Sequence, residues 1–244
     1  MRNERGRRLG KDVPIVVLTG AGISAESGLA TFRGADGLWE GHRIDEVATP
    51  EAFRDDPELV HRFYNARRRQ LAGPGIAPNA AHLALARLER AWTGDFLLVT
   101  QNVDDLHERA GMVRTLHMHG QLGMMRCLAC DEVGPADEQL SVRSCCGVCG
   151  SIATLRPDVV WFGEMPRGLG RIYKALETCG IFIAIGTSGQ VYPAAGFVEA
   201  ARAAGAWSIE VNLLASAVSD FFDEHWRGLA SEAVPALVDQ LIGS

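Results

Sequence analysis

"PIVVLTGAGISAESG" (residues 14–28) is the stretch on which the fold turns. Its apolar run, Ile15 to Leu18, shows no polar alternation and stops at a glycine. Such a run suits a strand buried on both faces, as in a parallel sheet. The residues that follow, GAGISA at 20–25, fit the G-x-G-x-x-G/A pattern of a dinucleotide-binding turn. In that reading Gly20 permits the tight turn and Gly22 lets backbone approach a pyrophosphate. Ala25 lets the next helix pack close, with its N-terminus toward the anion. The motif alone is weak, and a plain glycine turn is the competing reading. Its place directly after the first strand favours the nucleotide.

Three further runs share the character of the first: DFLLVTQN (95–102), IFIAIGTS (181–188) and WSIEVN (207–212). Helical spacing separates them. NAAHLALARLERAW (79–92) carries Asn79 as an N-cap, PAAGFVEAARAAG (193–205) stops at Gly205, and SEAVPALVDQLIG (231–243) forms a last helix. Strands alternating with helices predict an α/β fold, a doubly wound Rossmann-like parallel sheet. All four strands end in small or polar residues: Thr19-Gly20, Gln101-Asn102, Gly186-Thr187-Ser188 and Asn212. Ligands of open α/β sheets bind beyond the carboxyl ends of the strands, so these ends predict one shared cleft. A hydride-transferring dehydrogenase would continue with a second strand and an acidic ribose ligand about 20 residues on. Here the chain reads TFRGADGLWEGHR (31–43), a glycine-rich loop suited to cover a ligand.

Two segments interrupt the alternation. Residues 36–78 hold no strand candidate, and residues 121–158 hold five of the six cysteines. Together they predict a smaller lobe, a helical insertion and a zinc module. A nucleotide-binding domain is expected from 13–35, 79–120 and 159–244, after a flexible tail at 1–12. CLAC (127–130) and CGVC (146–149) give C-x2-C, fifteen residues, C-x2-C, the spacing of a zinc ribbon. Four thiolates close the coordination sphere, so one structural Zn2+ is expected on Cys127, Cys130, Cys146 and Cys149. Cys145 beside Cys146 leaves a second register open, and Cys179 before an apolar strand reads as a core residue.

The 244 residues carry a formal charge of -6 with 47% hydrophobic content. That acidity argues against nucleic acid as a partner, and no apolar run approaches the roughly 20 residues that span a bilayer. The basic stretch at 1–14 lacks an apolar signal segment, so a cytoplasmic, reducing setting is expected, and with it metal binding rather than disulfides. A monomer is expected.

Against that acidic background, HRFYNARRRQL (61–71) places Arg62, Arg67, Arg68 and Arg69 within eight residues. Asp56 and Pro57 are a helix N-cap and first-turn residue. Tyr64 and Arg67 then share one face at i and i+3, where both donate toward a single carboxylate. Arg68 and Arg69 point elsewhere and read as solvated. The competing reading is a solvated face pairing with Asp55, Asp56 or Glu58. VVWFGE (159–164) reads as a β-rich segment whose backbone pairs with an extended peptide, or as a buried connector.

Taken together, GAGISAESGLATFRG (20–34), TQNVDDLHERAG (100–111), HG (119–120), the cysteine pairs, VVWFGE, GTS (186–188) and VN (211–212) resemble the sirtuins, NAD-dependent protein-lysine deacylases. The resemblance runs from about residue 13 to 240. It implies NAD as co-substrate, with its pyrophosphate at Gly20, Ala21, Gly22 and Ser24 and its adenosine half near Gly186, Ser188 and Asn212. It puts Asn102 and Asp104 around the nicotinamide, counts Gln101 and Thr187 among the NAD-binding residues, and places Phe32 and Arg33 on the cover. The acyl-lysine carbonyl oxygen would attack C1′ of the nicotinamide ribose, and His119 would then act as general base on a ribose hydroxyl. The products would be nicotinamide, free lysine and O-acyl-ADP-ribose. A histidine suits the role because it stays neutral yet basic near pH 7. From the residues alone His117 is an equal candidate; the family's histidine is the one that directly precedes glycine. The implied partner is an acyl-lysine peptide segment of a protein, held at Val160, Phe162 and Gly163. Tyr64 and Arg67, with the small Ala48 in ATPEAF, resemble the subgroup that removes acidic acyl groups such as succinyl and malonyl. ADP-ribosyl transfer to protein, or nucleotide sensing without catalysis, are the alternatives.

Overall fold

The computed structural model describes residues 10–30, 38, 39, 41–136 and 139–243. Most of the expected N-terminal tail, and the expected cover residues Phe32 and Arg33, lie outside the described residues.

In chain order, strand β1 (Ile15–Thr19) leads into two single 3-10 turns, Ala21–Ile23 and Ala25–Ser27. A short hairpin follows, β2 (Leu38–Trp39) and β3 (His42–Arg43). Helices α1 (Ile44–Val47), α2 (Pro50–Asp55), α3 (Pro57–Leu71) and α4 (Ala80–Ala91) precede β4 (Phe96–Thr100), α5 (Leu106–Arg109) and β5 (Thr115–His117). Then come β6 (Gly120–Cys127), β7 (Val133–Pro135), β8 (Leu155–Val159), α6 (Leu169–Leu176) and β9 (Ile181–Ile185). The chain closes with α7 (Phe197–Ala203), β10 (Trp207–Asn212), β11 (Glu224–Arg227) and α8 (Ala230–Ile242).

Six strands form one parallel sheet in the order β11-β10-β9-β1-β4-β5. Counted by sequence within that sheet, this is the doubly wound order 3-2-1-4-5-6, reversing direction between β1 and β9. The strands run apolar throughout because both faces are covered. Ile15, Val17, Leu98, Ile183 and Ile209 pack under α4 and α8. Their alternates Val16, Leu18, Leu97, Val99, Phe182 and Ala184 pack under α6 and α7. The period of two within a continuous apolar run is the mark of a sheet buried on both sides.

The register sets the site. Thr19 pairs with Thr100 on one side and Ile185 on the other, and Ile185 with Val211. The next residues, Gly20, Gln101, Gly186 and Asn212, therefore leave the sheet at one level. At the reversal point the two central loops touch. Gly20 N–H donates to Ile185 O at 3.0 Å and Gly22 N–H to Gly186 O at 2.9 Å. A Cβ on Gly22 would lie 2.7 Å from Gly186 Cα, and one on Gly186 would lie 2.5 Å from Ile23 N. Gly186 also sits at φ +62°, in the left-handed region. Gly22 is thus required by backbone packing within the fold, a reason the nucleotide pattern alone did not supply.

No α-helix follows the glycine turn within residues 20–30; two 3-10 turns stand in its place. The close helix packing expected at Ala25 does not occur, and Ala25 is exposed. Elsewhere the expected helices form. Asn79 Oδ1 accepts from Ala81 N–H at 3.0 Å and Asp56 Oδ1 from Leu59 N–H at 2.9 Å. The 193–205 segment opens with a 3-10 turn before α7 and reaches Gly205 in the left-handed conformation. β8 ends at Val159, so most of VVWFGE is a loop rather than a strand. β6, β7 and β8 make a separate antiparallel sheet. A distinct apolar cluster joins Val47, Phe53, Val60, Phe63 and Tyr64 to Leu122, Val159 and Trp161. No helix among the described residues is long and apolar enough to cross a membrane.

Replacing Gly186 by alanine is expected to cost about 1–3 kcal/mol, from left-handed strain plus collision with Ile23 N. For a chain of this size that is a fall in Tm of a few to about 10 °C. Thermal denaturation followed by circular dichroism measures it. An unchanged Tm would show that the β1 and β9 loops do not constrain each other.

Candidate functional site

A cleft of about 1160 Å³ opens beyond the carboxyl ends of β1, β4, β9 and β10. It exceeds the roughly 300–1,000 Å³ of ordinary small-molecule sites, which leaves room for a ligand of dinucleotide size. Gly20, Ala21, Gly22, Ser24, Gln101, Asn102, Asp104, Gly186, Thr187, Ser188 and Asn212 border it, as do His119, Ala48, Tyr64, Arg67, Val160, Phe162 and Gly163. Ala25 does not border it, because the second 3-10 turn carries it outward into solvent.

The floor is a chain of buried polar groups. Asn102 Nδ2 donates to Gly20 O at 3.2 Å and to Ser24 Oγ at 3.1 Å. Ser24 Oγ in turn donates to Asp104 Oδ2 at 3.0 Å, and Leu106 N–H donates to Asp104 Oδ1 at 3.1 Å. Burial pushes the Asp104 carboxyl up from its ordinary range, against these hydrogen bonds. The glycine turn and the 102–104 segment are therefore tied side chain to backbone. Asn212 Nδ2 holds the 186–188 loop through Thr187 O at 2.7 Å.

The two histidines separate on geometry. His117 points Nδ1 at Asn102 O, 3.3 Å away, and Nε2 at Glu108 Oε1, 2.9 Å away, and it does not border the cleft. His119 does border it, with Nδ1 3.0 Å from Gln101 O. A carbonyl only accepts, so Nδ1 carries the proton and Nε2 keeps its lone pair. Burial lowers the His119 pKa, and the Gln101 carbonyl offsets this in part. The ring is a neutral base by default.

Helix α3 brings Tyr64 and Arg67 to the opposite wall. The Arg67 guanidinium lies over the Phe63 ring at 4.8 Å, leaving the side chain half-buried. Tyr64 is closed off from solvent, and its hydroxyl accepts a hydrogen bond from Trp161 Nε1 at 2.9 Å. Burial raises its pKa well above the ordinary phenol value. Arg68 is not solvated as expected: it is buried and bonded to Asn65, whose Nδ2 reaches Leu140 O in the cysteine module. In the 160–164 loop, Val160 N–H donates to His119 O at 2.8 Å and Phe162 N–H to Ala48 O at 3.0 Å. Those two amides are used inside the fold and are not open to a peptide.

Several cleft residues escaped the sequence reading. Trp161 sits inside a motif read only for its backbone. Gln190 to Tyr192 and Leu214 to Ala217 lie in the loops after β9 and β10, and that position was their one signal.

Sγ atoms of Cys127, Cys130, Cys146 and Cys149 all lie within 4.8 Å of one another. Two of the separations are 3.7 Å (Cys127 to Cys149) and 3.8 Å (Cys130 to Cys146). A tetrahedron of Zn–S bonds of about 2.3 Å separates its sulfurs by about 3.8 Å, so the four fit one zinc ion. Cys145 turns its thiol to Gly150 O, 3.2 Å away, and lies outside the group of four. None of the four borders the cleft.

Comparison with known proteins agrees with this geometry. The sequence model of the Sir2 family matches residues 20–193, and the chain belongs to that family. It is 58% identical over 228 residues to the NAD-dependent protein deacylase of Escherichia coli (strain K12), covering 93% of this chain and 82% of that one. A Sir2 homolog solved in complex with NAD superposes with a TM-score of 0.84 at 42% identity, covering 93% of this chain and 88% of that one. Sir2Af2, solved bound to a myristoylated histone peptide, gives 0.71 at 34% identity, covering 93% and 90%.

Cys146→Ser is expected to drop the zinc content from one per chain toward zero and loosen the ribbon. Cys145→Ser is expected to keep one zinc per chain. Metal analysis of the purified variants decides it, and zinc loss from Cys145→Ser instead would reverse the assignment.

Proposed function

We propose that this chain is an NAD-dependent protein-lysine deacylase that favours acidic acyl groups, succinyl and malonyl, and also takes acetyl. Its products are nicotinamide, O-acyl-ADP-ribose and free lysine. Family membership and the deacylase names of close relatives support the activity. The observation that carries the acyl preference is the meeting of Tyr64 and Arg67 from α3 with His119 around one cleft.

The fit to NAD rests on the size of the cleft and on its donor set. Bound there, NAD supplies the ADP-ribosyl group that accepts the acyl chain. Gly20, Ala21, Gly22 and Ser24 would hold the pyrophosphate. Gly186, Thr187, Ser188 and Asn212 would hold the adenosine side, and Gln101, Asn102 and Asp104 the nicotinamide side. His119 takes a proton at Nε2, the nitrogen left with a lone pair by the Nδ1 bond to Gln101 O. As that proton arrives, the same bond stabilises the imidazolium. Val160, Phe162 and Gly163 flank the entry for the acyl-lysine peptide. Ala48 adds no bulk beyond its methyl, leaving depth for a four-carbon acyl chain. Arg67 meets the acyl carboxylate with a planar fork of donors, which lysine could not reproduce. Zinc at the four cysteines holds the antiparallel sheet and takes no part in the chemistry, because four thiolates leave no open position.

Two expectations follow. With NAD and one peptide carrying either acyl group, Tyr64→Phe and Arg67→Met should lower the ratio of succinyl to acetyl kcat/KM ten- to a hundredfold, the worth of a charged hydrogen bond. Equal loss on both substrates would refute the acidic-acyl preference. The acid limb of kcat/KM should have its midpoint below 6.5, since burial holds His119 deprotonated to lower pH than free imidazole. The sign is fixed: a lowered pKa keeps the base active as pH falls, and a midpoint above 6.5 would count against His119 as the base.

A further inference from the structure

We infer that Trp161 is a positioning residue for acyl-chain selectivity, its indole N–H turning the Tyr64 hydroxyl into a donor committed to the substrate. The inference rests on the acidic-acyl reading above.

An indole N–H only donates, and it has one proton to give. Trp161 Nε1 gives it to Tyr64 Oη at 2.9 Å, between two side chains that are 2% and 0% exposed. The phenol oxygen is therefore an acceptor on that side, and its own proton must point elsewhere. Among the described residues no second partner bonds Tyr64 Oη. A buried hydroxyl proton without an acceptor carries an unmet desolvation cost, and an incoming carboxylate relieves it. Reaching the hydroxyl requires neighbouring side chains of the cleft wall to part, since Tyr64 is closed to solvent while bordering the cleft.

The indole cannot readily turn away. The Arg156 guanidinium sits over its ring, 3.4 Å from the centroid. Arg156 is itself held by Glu164 through two hydrogen bonds, 2.6 and 3.0 Å, and by Val159 O at 2.7 Å. Glu164 also accepts from the Trp161 backbone N–H at 2.8 Å, and Phe53 packs at 5.4 Å from the indole ring. Arg67, the other half of the wall, has donors only. With its oxygen already accepting from Trp161, Tyr64 has its proton to give beside the Arg67 donors. Acyl chains ending in a charged acceptor fit; chains ending in an ammonium group meet the like charge of Arg67.

The test measures kcat and KM separately for succinyl- and acetyl-lysine forms of one peptide, with wild type, Trp161→Phe, Tyr64→Phe and the double variant. Trp161→Phe keeps an aromatic ring but removes the N–H. It is expected to raise KM for the succinyl peptide roughly three- to tenfold and to lower the succinyl-to-acetyl ratio of kcat/KM by a similar factor. Because Trp161 acts through the Tyr64 hydroxyl, the double variant should have the same ratio as Tyr64→Phe alone. If Trp161→Phe does not fold, as judged by its melting curve, Arg156→Lys unlocks the indole without removing it and is read by the same ratio. An unchanged ratio in the Trp161 variant, beside a lowered one in Tyr64→Phe, overturns this inference and leaves the acyl preference standing. An additive double variant overturns it too. An unchanged ratio in Tyr64→Phe overturns both.

Discussion

The contact between the backbone of Gly22 and that of Gly186 is the constraint from which the site follows. It lies where the parallel sheet reverses its winding, between β1 and β9. Loops leaving neighbouring strands at such a point normally diverge to opposite faces and leave a crevice. Here they diverge only after touching, so the crevice has a closed floor. Side chains on that floor cannot be hydrated from below. They satisfy one another instead, Asn102 to Ser24 to Asp104, and this rigid chain fixes the glycine turn relative to the 102–104 segment. Any Cβ at either glycine would separate the loops, so sheet topology and site geometry share one steric condition.

How much of this was legible in the sequence depended on burial. β1, β4, β9 and β10 are covered on both faces and read as plain apolar runs. β5 (Thr115–His117) and β11 (Glu224–Arg227) are the edges of the same sheet, short and partly exposed, and their polar composition hid them. The β6–β8 sheet escaped for a different reason: β6 carries intermediate residues and a register shift between Gly120 and Met125, and β8 is buried but holds Arg156, Pro157 and Asp158. The motif GAGISA announced a turn correctly but not what came after it. Local pattern cannot distinguish a helix N-terminus from two 3-10 turns when the reason for glycine, contact with Gly186, lies more than 160 residues away.

The candidate site was legible in residue identity more than in role. His117 and His119 are indistinguishable by type, and in the absence of a family only tertiary partners separate them. Glu108 occupies His117 and withdraws it, while the lone carbonyl of Gln101 leaves His119 with a usable nitrogen. Arg68 shows the converse error. A helical wheel assigned it to solvent, yet the cysteine module packs on that side of α3, and Asn65 links the two through Leu140. A wheel reports which residues share a face, not which faces are covered.

That last contact also gives the cysteine module a part in the site without any chemistry of its own. Helix α3 carries Tyr64 and Arg67 on one face and Asn65, about 100° further round from Tyr64, on the next. Asn65 holds Leu140 through both its backbone N–H and its carbonyl, at 3.1 and 2.8 Å, and Leu140 packs in the cluster with Cys127 and Cys146. The rotation of α3 about its axis is thus held in part by the module that contains the four cysteines, beside the apolar cluster on its other face. Rotation decides whether Tyr64 meets the Trp161 indole at 2.9 Å or misses it, because a hydrogen bond weakens steeply over a fraction of an ångström and a few tens of degrees. The cysteine module and the Tyr64–Arg67 wall of the cleft in this way meet on one helix.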